Sequence, residues 1–165
     1  MLRQQGGLAD AELLYSEAVQ ILERLGDRES EAIGRLNLAV VAIERGQTDT
    51  AHALLGQALQ VATTLGSHQL GQSTLDVLAG LCAADGRHDA ALTMFGAAEA
   101  QAERSGLKRG SADSAFLLPL VEQSRRALGE SAEQALAEGR ALSYGDAVRR
   151  AGELLSPGLW PVKRL

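Results

Sequence analysis

The chain has 165 residues, of which 45% are hydrophobic but only 3% aromatic, so its core must be built from Ala, Leu, Val and Ile rather than from rings. Its formal charge is −5 and its basic residues are scattered, which removes the electrostatic footprint of a nucleic-acid binder and sets direct nucleic acid aside as a partner. A single cysteine excludes an internal disulfide, no apolar run approaches the roughly 20 residues that a bilayer requires, and the polar start MLRQQGG is unlike a secretory signal, so a cytoplasmic protein without a membrane partner is expected.

Glycines at Gly26, Gly46, Gly66, Gly86 and Gly106 cut the chain into segments of twenty residues, each fitting one helix and one turn. The predicted helices run near 8–25, 29–45, 48–65, 69–85, 88–105 and 112–128. Their apolar residues follow helical spacing, as Leu75, Leu78, Ala79 and Cys82 show at i, i+3, i+4 and i+7. The full repeat is two segments, because Ala11, Ala51 and Ala91 share a register, as do Tyr15, Leu55 and Phe95, and Ala18, Ala58 and Ala98. Small residues let paired helices cross closely while one large residue fills the gap between pairs. Such copies cannot bury their faces alone and must stack.

The first segment holds only the second helix of a pair, so the chain reads as the end of a longer solenoid or as a short gene derived from one. The second helix carries two apolar faces. Leu38, Ala39 and Ala42 serve its partner helix, whereas Ile33, Leu36, Val40 and Ile43 form a further stripe at i, i+3, i+7 and i+10. The matching residues forty positions on, Ser73, Asp76, Gly80 and Ala83, are small or polar. The third pair is longer, and Pro119 is expected to bend its helix. Beyond it, Ser131 with Gln134 and Ser143 with Asp146 mark the starts of two short capping helices within about 130–155, whose outer faces carry Glu130, Glu133, Glu138, Arg149 and Arg150. The tail SPGLWPVKRL cannot be helical, and Leu159 and Trp160 are its candidate anchors on the solenoid or on a second molecule.

The run Leu38, Ala39, Ala42, Gly46, Thr48, Ala51, Leu55, Ala58 resembles the tetratricopeptide repeat (TPR) pattern, and Leu78, Ala79, Cys82, Gly86, His88, Ala91, Phe95, Ala98 repeats it. Arg35 and Leu75 replace the usual early aromatic, the closing proline is missing, and the 40-residue period exceeds the usual length of about 34. The resemblance implies an all-α, right-handed solenoid of TPR-like helical hairpins with about eight helices. The solenoid is expected over residues 1–156, with repeats at about 6–128, followed by the tail at 157–165. It also implies that the second face of the inner helices lines a concave groove, with Ile33, Leu36, Asn37, Val40, Ile43 and Asp76 as candidate partner contacts. Asn37 would hold a peptide backbone; the Lys residues that clamp a terminal carboxylate are missing from the next helix, which disfavours a chaperone-tail adaptor. The stripe reads equally as packing on a preceding helix or a neighbouring copy.

Arg126, Leu128, Gly129, Ala135, Glu138, Gly139, Arg140, Leu142, Ala147 and Val148 resemble the C-terminal end of bacterial signal-transducing ATPase regulators. In those proteins a DNA-binding or cyclase domain and a nucleotide switch precede a TPR sensor region. No G-x-x-x-x-G-K-[ST] loop is present in this chain, so no nucleotide or other cofactor is expected. His52, His68, His88 and Cys82 lack metal-ligand spacing, and the acidic residues stand singly on polar faces, so neither a metal site nor a catalytic constellation is expected. His88 and Cys82 read instead as packing residues between helices. The sequence therefore points to a non-catalytic protein-interaction module, the sensor or scaffold portion of a bacterial signalling or transcriptional regulator, with protein or peptide as partner. The alternatives are a small-molecule-sensing TPR domain and a standalone self-associating adaptor, a homodimer being its simplest form.

Overall fold

Each twenty-residue segment ends in the same backbone device. In a computed structural model that describes residues 7–156, Gly26, Gly46, Gly66, Gly86 and Gly106 all adopt the left-handed region, with φ between 64° and 78°. That region is costly for any residue with a Cβ. At the first four of these turns the residue after the glycine donates its N–H to a carbonyl five positions back, from Asp27 to Leu22, Gln47 to Ala42, Ser67 to Ala62 and Arg87 to Cys82. This 6→1 bond is the signature of a Schellman stop, and it reverses the chain within two or three residues. The fifth turn departs from the pattern, and Gly106–Gly110 forms a longer loop.

The stops separate α1 (Leu8–Leu25), α2 (Arg28–Glu44), α3 (Thr48–Leu65), α4 (His68–Ala84), α5 (His88–Ser105) and α6 (Ser111–Leu128). A single 3-10 turn (Gly129–Ser131) then leads into α7 (Ala132–Ala141), and α8 (Tyr144–Leu154) follows. Among the described residues all regular structure is helical. Consecutive helices from α1 to α6 pack as hairpins, and α4 touches both α2 and α6 in an inner layer. The protein is a TPR-like helical solenoid.

The register found in the sequence is the register of the core. Ala11, Ala51 and Ala91 are fully buried, as are Ala39, Ala79, Ala58 and Ala98, and Leu55 and Phe95 fill the spaces between pairs. Helix α4 is the centre of the stack, with Leu75, Leu78, Leu81 and Cys82 all inaccessible. Asp27, Ser67 and Ser143 cap α2, α4 and α8 through their side chains. Helix α6 continues through Pro119.

One of the two expected caps is corrected. Ser131 has helical dihedrals and makes no side-chain cap bond, because the 3-10 turn after Gly129 already feeds α7. Gln134 donates to Glu138 instead. The outer end of the stack is closed by α7 crossing α5 at two glycines. A Cβ on Gly139 would lie 1.9 Å from the Thr93 carbonyl oxygen, and one on Gly96 would lie 2.3 Å from that of Leu136. Helix α8 then lies across α3, α4 and α5, where Tyr144 covers Gly71 and stacks on His68 with ring centroids 4.0 Å apart.

Candidate binding groove

The inner layer leaves a groove of about 450 Å³ between α2, α4, α6 and the Gly106–Gly110 loop. Most of its walls come from five repeat positions, each supplied three times at intervals of forty residues. These are Glu29, Gln69 and Arg109; Ser30, Leu70 and Gly110; Ile33, Ser73 and Asp113; Leu36, Asp76 and Phe116; and Asn37, Val77 and Leu117. Equivalent helices present equivalent faces, so repetition builds a single continuous site.

Most of the candidate residues meet here. Ile33, Leu36, Asn37, Val40 and Asp76 all line the groove, whereas Ile43 is buried in the core away from it. Ile33 is 46% exposed at the rim, while Leu36 and Val40 are part of the packed floor. Hence only the first residue of the apolar stripe stands open; the other three are covered by the protein's own core. Leu159 and Trp160 lie outside the described residues.

Asp76 is engaged within the chain. Arg109 grips it with both arms of the guanidinium, Nε donating to Oδ2 at 2.9 Å and Nη2 to Oδ1 at 2.7 Å. Both side chains are nearly buried, at 12% and 11% exposure for Arg109 and Asp76. Arg109 also donates to Glu99 at 3.3 Å and lies over the Phe95 ring. Burial, offset only in part by Arg109, raises the Asp76 carboxyl above its ordinary value.

The loop that carries Arg109 is held by further bonds. Gln72 donates to the Leu107 carbonyl at 3.5 Å, the Ser105 hydroxyl donates to the Gln72 side-chain oxygen, and the Leu107 N–H donates back to Ser105. The extra residues of the fifth turn thus wall one side of the groove. Beside them Phe116 of α6 fills the space over Gly80, where a Cβ would come within 2.6 Å of the ring. The small residue at 80 is therefore a seat for an aromatic side chain.

Sequence reasoning missed Arg109 and Phe116. Two signals were available: Asp76 occupies the register of buried Leu36 and needs a counter-charge there, and Phe116 occupies the same register one repeat later. The other packing expectations can be seen directly. Cys82 is inaccessible and its thiol is pushed up to about 12 by burial. His88 Nδ1 lies 2.9 Å from the Ser124 hydroxyl, tying α5 to α6. Among the described residues no group of His, Cys, Asp and Glu side chains is arranged to hold a metal, and no helix is long and apolar enough to cross a membrane.

Residues 1–64 match the family model described as tetratricopeptide repeat. Comparison with curated proteins gave no match, and comparison with solved structures gave none either. The family match covers the first three helices, and the hairpin stack continues the same register beyond it. TPR repeats generally mediate protein–protein interaction and are typically non-catalytic modules.

Proposed function

We propose that the protein is a non-catalytic module that binds a peptide segment of another protein in the groove between α2, α4 and α6. The observation that carries this reading is the groove itself, an open channel with Ile33 exposed at one end and polar side chains of Asn37, Ser73 and Lys108 along it. Such a surface suits an extended or helical segment with one apolar anchor and a hydrogen-bonding backbone. The resemblance of residues 126–148 to the end of bacterial signal-transducing regulators supports a role as the sensor or scaffold part of a regulator, working in the cytoplasm. The solenoid at residues 1–156, with 157–165 as a separate tail, is the unit we assign to that role.

A random-peptide library panned against the full chain tests the reading. Enriched peptides should share an apolar anchor, and Ile33→Asp should weaken their binding at least tenfold while leaving the melting temperature within a few degrees. Failure to enrich any sequence, or binding indifferent to Ile33→Asp, would reject the groove as a peptide site. The polar groups that converge beside Arg109 favour a second reading, a small-molecule sensor. That reading predicts a thermal shift from individual metabolites, abolished by Ser73→Arg.

A further inference from the structure

We propose that residues 157–165 of this chain dock in a second groove, between α3 and α8, with Trp160 as the anchor. This groove has a volume of about 430 Å³ and is walled by Gly56, Leu59 and Thr63 on α3 and by Val148, Gly152 and Leu155 on the other side. Leu155 and Ser156, the last described residues, themselves belong to its wall.

The repeat register explains why α3 has an opening at this point. Gly56 is the equivalent of Gly96, forty residues on, which admits the close crossing of α7. At Gly96 a Cβ would collide with the α7 backbone; at Gly56 it would meet nothing within 4 Å among the described residues. A glycine inside a helix costs about 1 kcal/mol relative to alanine, a cost with no return on an uncovered face. Among the described residues, nothing on α3 takes the seat that α7 occupies on α5, and α8 ends beside it.

The tail matches the seat in reach and chemistry. Trp160 lies four positions beyond Ser156, which gives a reach of up to about 14 Å. The stretch of α3 from Gly56 to Thr63 is about 10 Å long. Pro157 and Pro161 lack N–H groups and favour an extended path, so the tail would cross a helix with two fewer backbone donors to satisfy. Leu159 and Trp160 offer the apolar area, and an indole buries about 150–250 Å². Its N–H finds acceptors at the rim: the Thr63 and Thr64 hydroxyls donate to the Leu59 and Gln60 carbonyls, and their lone pairs remain to accept.

Trp160 is the chain's sole tryptophan, so its fluorescence reports on this contact alone. In the full chain, emission should lie at shorter wavelength than in the same chain unfolded in guanidinium, and acrylamide should quench it at least threefold less. Gly56→Gln places a long side chain in the seat; with helicity unchanged by circular dichroism, it should return emission and quenching most of the way to the unfolded values. Thr63→Arg, on the exposed rim, should act likewise if Gly56→Gln does not fold. Native emission equal to that of the unfolded chain would overturn the proposal, as would protection that neither substitution disturbs. Protection lost on dilution, together with a dimeric mass by light scattering, would also overturn it and assign the groove to the tail of a second copy.

Discussion

Asp76 and Arg109 show how a repeat position acquires a new role. In the preceding repeat the equivalent of Asp76 is Leu36, a plain floor residue; here a carboxylate sits at the same depth and is held by a guanidinium from a loop 33 residues away. Taking one partner away leaves an uncompensated charge in a nearly dry site, so Arg109→Met should destabilise the protein by about 3 kcal/mol in urea titrations at neutral pH. The double variant Asp76→Leu, Arg109→Met restores the chemistry of the Leu36 position and should lie within about 1 kcal/mol of the native chain. The sign of the pH effect follows from burial raising the Asp76 carboxyl. A carboxyl with a raised folded pKa favours the folded state while protonated, and that contribution is lost as pH rises through the folded value. The Arg109→Met deficit should therefore be small below about pH 4 and grow toward neutrality. A deficit independent of pH would mean that Arg109 acts only by pinning its loop. The sequence placed Asp76 on the inner face, yet its partner lies in an irregular loop where no periodicity applies, so the pairing was not legible.

At the level of elements, the helices and their stops were legible because the code is local. A left-handed glycine every twenty residues and apolar positions at helical spacing need no knowledge of distant contacts. The ends of the stack were harder to read. Ser131 has the residue types of a cap box, but the positive φ of Gly129 sets the chain direction first, and a 3-10 turn absorbs the serine. The crossing of α7 on α5 was hidden for a similar reason: Gly139 looks like any helical glycine until its neighbour is known. That crossing is testable. Gly139→Ala drives a Cβ toward the Thr93 carbonyl oxygen, backbone against backbone, and should cost about 3 kcal/mol in urea denaturation. Gly145→Ala in α8, whose nearest neighbour would be 4.0 Å away, should be neutral or stabilising by about 0.5 kcal/mol. Equal effects from the two would show that α7 can shift without loss.

For the whole molecule the question is whether the stack opens as one body. In a solenoid each repeat touches chiefly its neighbours, so end helices can fray independently of the centre. Here the centre is also bridged: α8 lies across α3, α4 and α5, joining elements that the repeat alone would leave to separate contacts. Cys82 on α4 is a natural probe of that bridging, being wholly inaccessible with its thiol pushed up to about 12 by burial. At pH 8 the raised value alone cuts the thiolate population on the order of 10³-fold relative to an ordinary cysteine, and burial bars the reagent as well. Ionisation of this thiol opposes folding, so the associated stability is intact below pH 9 and is lost as pH rises toward 12. A disulfide reagent should therefore label Cys82 only through opening, and the labelling rate should rise with urea as steeply as global unfolding measured by circular dichroism. A much shallower slope would mean that α4 is released by the departure of one end of the stack, and that the α8 bridge does not couple the repeats.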